Sequence, residues 1–251
     1  MQLGTMDKGS ISGEFSKSKI SETPVNFESE RVAHFDNMLP AFPDEAIYIY
    51  SFEENRMIYA RGWENILGYP DAEITMMQIV LLTTPEYAPF ANELNDKALD
   101  FILKQRQDLE QYSFTIELKK THKNGHEIPL ITKVSVFESR DGVMTSIIGR
   151  SQINKSINLG KVMQYAAYGP KKSKFEDELN KQLFHHFAIS KKEKEALSLV
   201  AKGFAYKEIA EILNISQSAV EKRVQPLVKR FKVRSTAHLI SFAYENHILP
   251  F

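Results

Sequence analysis

The sequence predicts two structural classes in one chain. First comes an α+β domain with a five-stranded antiparallel sheet and short helices. An all-α unit of four helices follows. Three observations carry this reading. From Ala46 onward, aromatic and β-branched runs alternate with turn dipeptides. Near the C-terminus, apolar residues recur at helical spacing instead. The charge is also split. From Ile189 to the end there are 11 Lys and Arg against 6 Asp and Glu, a net +5, whereas the preceding part holds 21 against 26, a net −5. A basic unit joined to an acidic one suggests that one half meets a polyanion.

Composition bounds the rest. A length of 251 residues suits one large or two medium domains, and 25% charged with 43% hydrophobic residues is ordinary for a globular protein. Apolar runs such as "IVLL" (79–82) are far shorter than the roughly 20 residues a membrane helix needs. The opening "MQLGTMDKGSISGEFSKSK" lacks the apolar core of a signal peptide, so a soluble, cytoplasmic protein is expected. With no cysteine, disulfides, thiolate metal sites and a cysteine nucleophile are excluded. No nucleophile–base pairing, phosphate loop or metal-ligand spacing is legible, so no enzyme is expected.

Taken in order, residues 1–27 are polar and aperiodic and read as disordered. Residues 28–42 hold a short leading helix, with Val32, Phe35, Met38 and Leu39 at helical spacing. "AIYIYS" and "RMIYAR" flank "FEEN" and read as a hairpin. "GWENILGYPDAEI" reads as short helical pieces, and "ANELNDKALDFILKQR" as a helix with Leu94, Ala98, Phe101 and Ile102 on one face. Three strands follow: "DLEQYSFTIELKK", "HEIPLITKVSVFE" and "GVMTSIIGRSQIN". They are separated by Asn124-Gly125 and Asp141-Gly142, strong hairpin signals. Gly169-Pro170 and the lysines after it mark a linker within 155–187, and Phe175, Leu179 and Leu183 predict a connecting helix over 174–187.

Residues 188–251 form the helical unit. Its first helix opens on Ser190, a capping residue, and stops at Gly203, with Leu197, Val200, Ala201 and Phe204 on one face. "YKEIAEIL" is a two-turn helix, "NIS" a turn in which Ser216 caps the next helix, and "STAHLISFAYENHI" the last helix. Between them lies "AVEKRVQPLVKRFKV" (219–233). Val220, Val224, Leu227, Val228 and Phe231 form one stripe, with Lys222, Arg223, Lys229, Arg230 and Lys232 on the other side. The stripe stays in phase across Pro226, which predicts one bent helix whose freed Lys222 carbonyl reaches water. Two short helices joined by a three- or four-residue turn make a helix-turn-helix, whose second helix fits the major groove of double-stranded DNA.

At these residues the chain resembles the LuxR-type DNA-binding domain of bacterial transcription factors. The opening "S-x-x-E-x-E-x-L", "KEIA", "IS-x-x-x-V-x-x-R" and "F-K-V-R-S" carry the resemblance. It implies a four-helix domain that often dimerises through its last helix. It also implies that Glu221, Lys222 and Gln225 lie nearest the base edges, with Lys207, Ser216, Ser218 and Lys229 near phosphates. Two positions depart from the family: a lysine is usual where Glu221 stands, and an asparagine is common where Pro226 stands.

"YARGWENILGYPDAEI", "THKNGHEIP" and "IIGRSQIN" resemble a PAS domain over 43–154. That resemblance implies a small pocket between sheet and helices, and dimerisation through a preceding helix. Tyr48, Tyr50, Tyr59 and Trp63 are its candidate pocket residues, though core packing is the commoner fate of such side chains. The cofactor stays unknown. Flavin photochemistry in such domains uses a cysteine, which the chain lacks, and haem-binding relatives use a histidine, which the long helix lacks. An apolar small molecule, or none, remains open. His122 and His126 flank a turn and read as solvent-exposed, while the neighbours His185 and His186 point apart on a helix and do not suggest metal.

Together the two resemblances imply a dimeric, sequence-specific transcription regulator in which a PAS sensor sets the dimer arrangement. Two other readings stay open. One is a PAS-based protein-interaction adaptor with weak or no DNA binding. The other is a sigma-factor-like promoter-binding protein, since region four of sigma factors shares "YKEIAEIL-x-IS".

Overall fold

The computed structural model describes residues 19–155, 162–183, 186–246 and 248–250. The chain divides into two compact units: Met1–Lys155 with Ala167–Leu179, and Ser156–Ala166 with Asn180–Phe251.

In the first unit, α1 (Glu30–Met38) starts at Ser29, whose hydroxyl accepts from the Arg31 amide. Its Val32 and Phe35 are buried. Phe35 meets Tyr59 edge-on at 5.5 Å and Phe137 at 5.8 Å. Tyr59 donates to Asp36 Oδ1 at 2.7 Å, and Arg61 donates to the Leu39 and Pro40 carbonyls. The leading helix is thereby clamped to the sheet.

The hairpin β1 (Glu45–Ser51) and β2 (Arg56–Arg61) comes next, with Asn55 at φ +50° in its turn. Then come α2 (Trp63–Leu67), α3 (Met76–Leu81) and α4 (Ala88–Leu103). The strands β3 (Ser113–Thr121), β4 (Glu127–Arg140) and β5 (Val143–Ile153) follow. The order β2-β1-β5-β4-β3 is antiparallel throughout. Asp141 and Gly142 both take positive φ, +52° and +71°, as a two-residue hairpin turn with the right twist demands. The architecture is α+β as the sequence predicts, but the sheet has seven strands where five were expected, because two later strands fall within or just after a segment whose glycine, proline and lysines read as linker.

Four local features differ from the sequence reading. Residues 19–27, read as disordered, are held against the unit. Ser21 N donates to Tyr50 Oη at 2.9 Å, Arg56 donates to the Pro24 carbonyl at 2.8 Å, and Val25 is buried. Their polarity hid these long-range partners. Helix α3 has no strong periodicity in six residues and is fixed instead by a capping box between Thr75 and Gln78. A strand, β6 (Met163–Tyr168), stands inside the segment read as linker, and Met163–Tyr165 pair in parallel with β7 (Ala188–Ser190). Helix α5 (Lys172–Gln182) ends before the connecting helix's expected limit at Phe187, and His185 lies outside the described residues. On α5, Phe175 stacks on Phe101 at 4.4 Å.

Lys120 is a buried charge that its sequence neighbours do not explain. Its Nζ donates to the Ile79 carbonyl at 2.5 Å and to Thr83 Oγ1 at 2.9 Å, within the last turn of α3 and just beyond it. Burial pushes its pKa down to about 7. Among the described residues, no helix is long and apolar enough to cross a membrane.

Candidate nucleic-acid interface

The second unit is built on α6 (Lys191–Ala201), α7 (Tyr206–Leu213), α8 (Gln217–Arg230) and α9 (Thr236–Glu245). Ser190 and Glu193 form a capping box at the start of α6, and Gly203 at φ +90° follows its end. Phe204, read as part of the α6 apolar face, falls in the loop after the helix and is 40% exposed. The turn between α7 and α8 is Asn214–Ser216. Asn214 takes the left-handed conformation (φ +50°, ψ +51°) and ends α7. Ser216 Oγ then accepts from the Ala219 amide at 3.2 Å and starts α8. Ile209, Ala210, Val220, Val224, Leu227 and Leu239 share the core. Ala210 is small where α7 meets α8, which permits a close crossing.

Helix α8 runs without a break through Pro226. Its apolar stripe faces inward, as the spacing requires. One basic residue was misplaced by that spacing. Arg230 is buried, and its Nη1 donates to the Ala188 carbonyl at 2.8 Å and to Glu193 Oε2 at 3.0 Å. It stands about 80° around the helix from Val220, at the margin of the stripe, and the Glu193 carboxylate draws it inside.

The outward face of α8 gathers five of the expected contact residues. Ser218, Glu221, Lys222, Gln225 and Lys229 line one shallow depression together with Pro226 and Val228. All five are exposed. Lys207 on α7 and Ser216 at the cap are also exposed but lie outside that lining. The Ser216 hydroxyl accepts within the cap, which leaves its proton free for an anion. The arrangement offers cations and hydrogen-bonding groups on one helical ridge, and a ridge of that width fits a major groove. Two groups on it are already engaged. Gln217 Nε2 donates to Glu221 Oε1 at 3.3 Å, and Gln225 Nε2 donates to Tyr206 Oη at 3.2 Å. The sequence reading missed Tyr206, because no local pattern joins residues 19 apart.

The four candidate pocket residues of the first unit separate. Tyr48 and Tyr50 line a cavity of about 30 Å³ with Ile20, Met76, Asn95 and Leu99. That is room for about two waters. Tyr59 and Trp63 do not line it. Tyr59 turns to Asp36, and Trp63 Nε1 donates to the Ile47 carbonyl at 3.1 Å, so both serve packing. Tyr48 lies over Gly149, where a Cβ would stand 2.1 Å from Tyr48 Cε1. The sequence reading also missed Ile20 and Asn95. His122 and His126 stack at 4.3 Å beside their turn, and burial lowers the His122 pKa.

The second unit is thus a helix-turn-helix domain with its second helix presenting a polar, cationic face. Residues 188–243 match the family described as "Bacterial regulatory proteins, luxR family", and this segment is a LuxR-type domain. Among curated relatives, the probable transcriptional regulator ycf29 of Pyropia yezoensis is 36% identical over 70 residues, 28% of this chain and 32% of that protein. The oxygen regulatory protein NreC of Staphylococcus carnosus is 36% identical over 63 residues, 25% of this chain and 29% of that protein. The chain therefore spans about a third of the length of the relatives it matches.

A Vibrio cholerae VqmA dimer without target DNA, described with LuxR-type receptors, overlays 88% of this chain and 89% of its own at 15% identity and a TM-score of 0.34. A PAS domain from Colwellia psychrerythraea overlays 51% of this chain and 98% of its own at 15% identity and a TM-score of 0.36. Those overlays are too loose to carry an argument. The first unit is described by its own features: five neighbouring antiparallel strands of a seven-stranded sheet, short helices and a small cavity.

Proposed function

We propose that this chain is a sequence-specific, DNA-binding transcription regulator acting as a homodimer in the cytoplasm, without catalytic activity of its own. The single observation that carries this reading is the outward face of α8. Ser218, Glu221, Lys222, Gln225 and Lys229 converge there, on the second helix of a helix-turn-helix. Glu221, Lys222 and Gln225 read base edges, and Lys207, Ser216, Ser218 and Lys229 hold phosphates. A symmetric dimer places two such helices on half-sites about 34 Å apart. The PAS-like unit, bounded at 43–154, acts as sensor, and the connecting segment 155–187 passes its state to the DNA-binding domain at 188–251. Its input is an apolar small molecule small enough for the cavity beside Tyr48 and Tyr50, or one that displaces Ile20 to enlarge it.

Anisotropy titration against genomic fragments at several salt concentrations tests the core of this reading. Affinity should fall steeply with salt, because each neutralised phosphate releases counterions. Lys222→Ala and Gln225→Ala should each weaken selective binding by about tenfold or more. Binding that neither substitution alters, with selectivity intact, would remove α8 as the reading surface.

A further inference from the structure

We infer that Tyr206 is a positioning residue that sets the Gln225 amide to read adenine. The inference rests on the reading of α8 as the base-contacting helix. Tyr206 opens α7, and its ring packs against the apolar core of the domain, so the hydroxyl has a fixed origin. That hydroxyl accepts one Nε2 proton from Gln225 at 3.2 Å. A free glutamine rotates broadly about its last torsion and presents its two ends in either order. Held by Tyr206, Gln225 presents one order. Its Oε1 and its second Nε2 proton stay available, an acceptor beside a donor.

Adenine complements that pair in the major groove, with N6 donating and N7 accepting. Guanine offers two acceptors, O6 and N7, and sets one of them against Oε1. Cytosine offers only the N4 donor. Glu221, one helical turn earlier, adds a second acceptor and no donor. The Gln225 position therefore favours an A·T pair, with the adenine on a defined strand.

The test is selection from randomised duplex DNA by the full-length chain and three variants, with circular dichroism confirming that each is folded. The wild type should enrich a motif containing an adenine that Gln225→Ala abolishes. Tyr206→Phe keeps the ring and removes the hydroxyl. It should weaken the preference at that one base by roughly three- to tenfold, the worth of one hydrogen bond. The other positions and the salt dependence should stay as they are. A role limited to bracing α7 would move all positions together. Gln225→Glu cannot donate to N7, so it should shift the same position from adenine to cytosine, an arm that does not depend on the Tyr206 variant folding. The inference is overturned if Tyr206→Phe leaves the motif unchanged, if the Gln225-dependent base is not adenine, or if Gln225→Glu retains adenine. No enriched motif for the wild type would overturn the reading of α8 itself.

Discussion

The buried pair Arg230–Glu193 makes the sharpest prediction about stability. Both side chains are 4% exposed. Arg230 Nη1 joins the end of α8 to the Ala188 carbonyl of β7 and to Glu193 in the first turn of α6. Glu193 Oε2 also accepts from the Ser190 amide at 2.9 Å. Replacing Arg230 with methionine preserves volume but strands a buried carboxylate, which costs about 3–5 kcal/mol. At about 0.05–0.15 kcal/mol per residue, the second unit, roughly eighty residues, holds only about 4–12 kcal/mol in total. The single variant should therefore sit near the edge of unfolding, with its melting point lowered by well over 10 °C. Glu193→Gln keeps an acceptor for Ser190 but leaves the guanidinium without its counter-charge, so it too should be costly. The double variant removes both charges and should lose less than about 2 kcal/mol. Urea unfolding followed by circular dichroism measures all three. If each single substitution costs under about 1 kcal/mol, or the two costs simply add, the pair does not hold these elements as described.

Lys120 predicts a pH dependence in the first unit. Its folded pKa is about 7 against an ordinary value near 10.4, so between these the unfolded chain binds a proton that the folded one does not. Stability should rise with pH from about 7 towards 10, by at most roughly 4 kcal/mol, and Lys120→Met should flatten the rise. Burial pushes the Tyr48 phenol up, which reverses the slope above about 10. Urea midpoints read from the fluorescence of Trp63 would decide this, and equal slopes in both proteins would sink it. Pro226→Ala should stabilise the second unit by about 1–2 kcal/mol, less than the full interior cost of proline near 3, because Lys222, whose carbonyl the proline frees, is an exposed residue. A melting point that fails to rise would contradict that backbone account.

Much of this was legible because the signals are local. Val220, Val224 and Leu227 repeat at helical spacing and are fully buried. The turn of Asn214 to Ser216 needs one residue that tolerates a left-handed backbone and one that caps, and both are in place. Lys120 was legible in principle. Phe114, Ile116, Leu118 and Lys120 alternate in phase on β3, so period two places the lysine inward. Its charge argued the other way, and only the α3 carbonyl explains why it stays. Tyr206, Ile20 and Arg230 left no such trace, since their partners lie 19 or more residues away or in a cavity formed by several elements.

By itself, the sequence determined most of the strands and helices, though not α3, β6 or β7, and also where most of the caps and turns fall and which face of α8 turns outward. Those properties depend on neighbours within a few residues, where spacing and backbone preference decide. Only the tertiary structure decided which aromatic residues line the cavity, which arginine is buried, and which hydroxyl holds Gln225. Each of those needs two distant side chains brought within about 3 Å, and that distance is set by packing the whole unit.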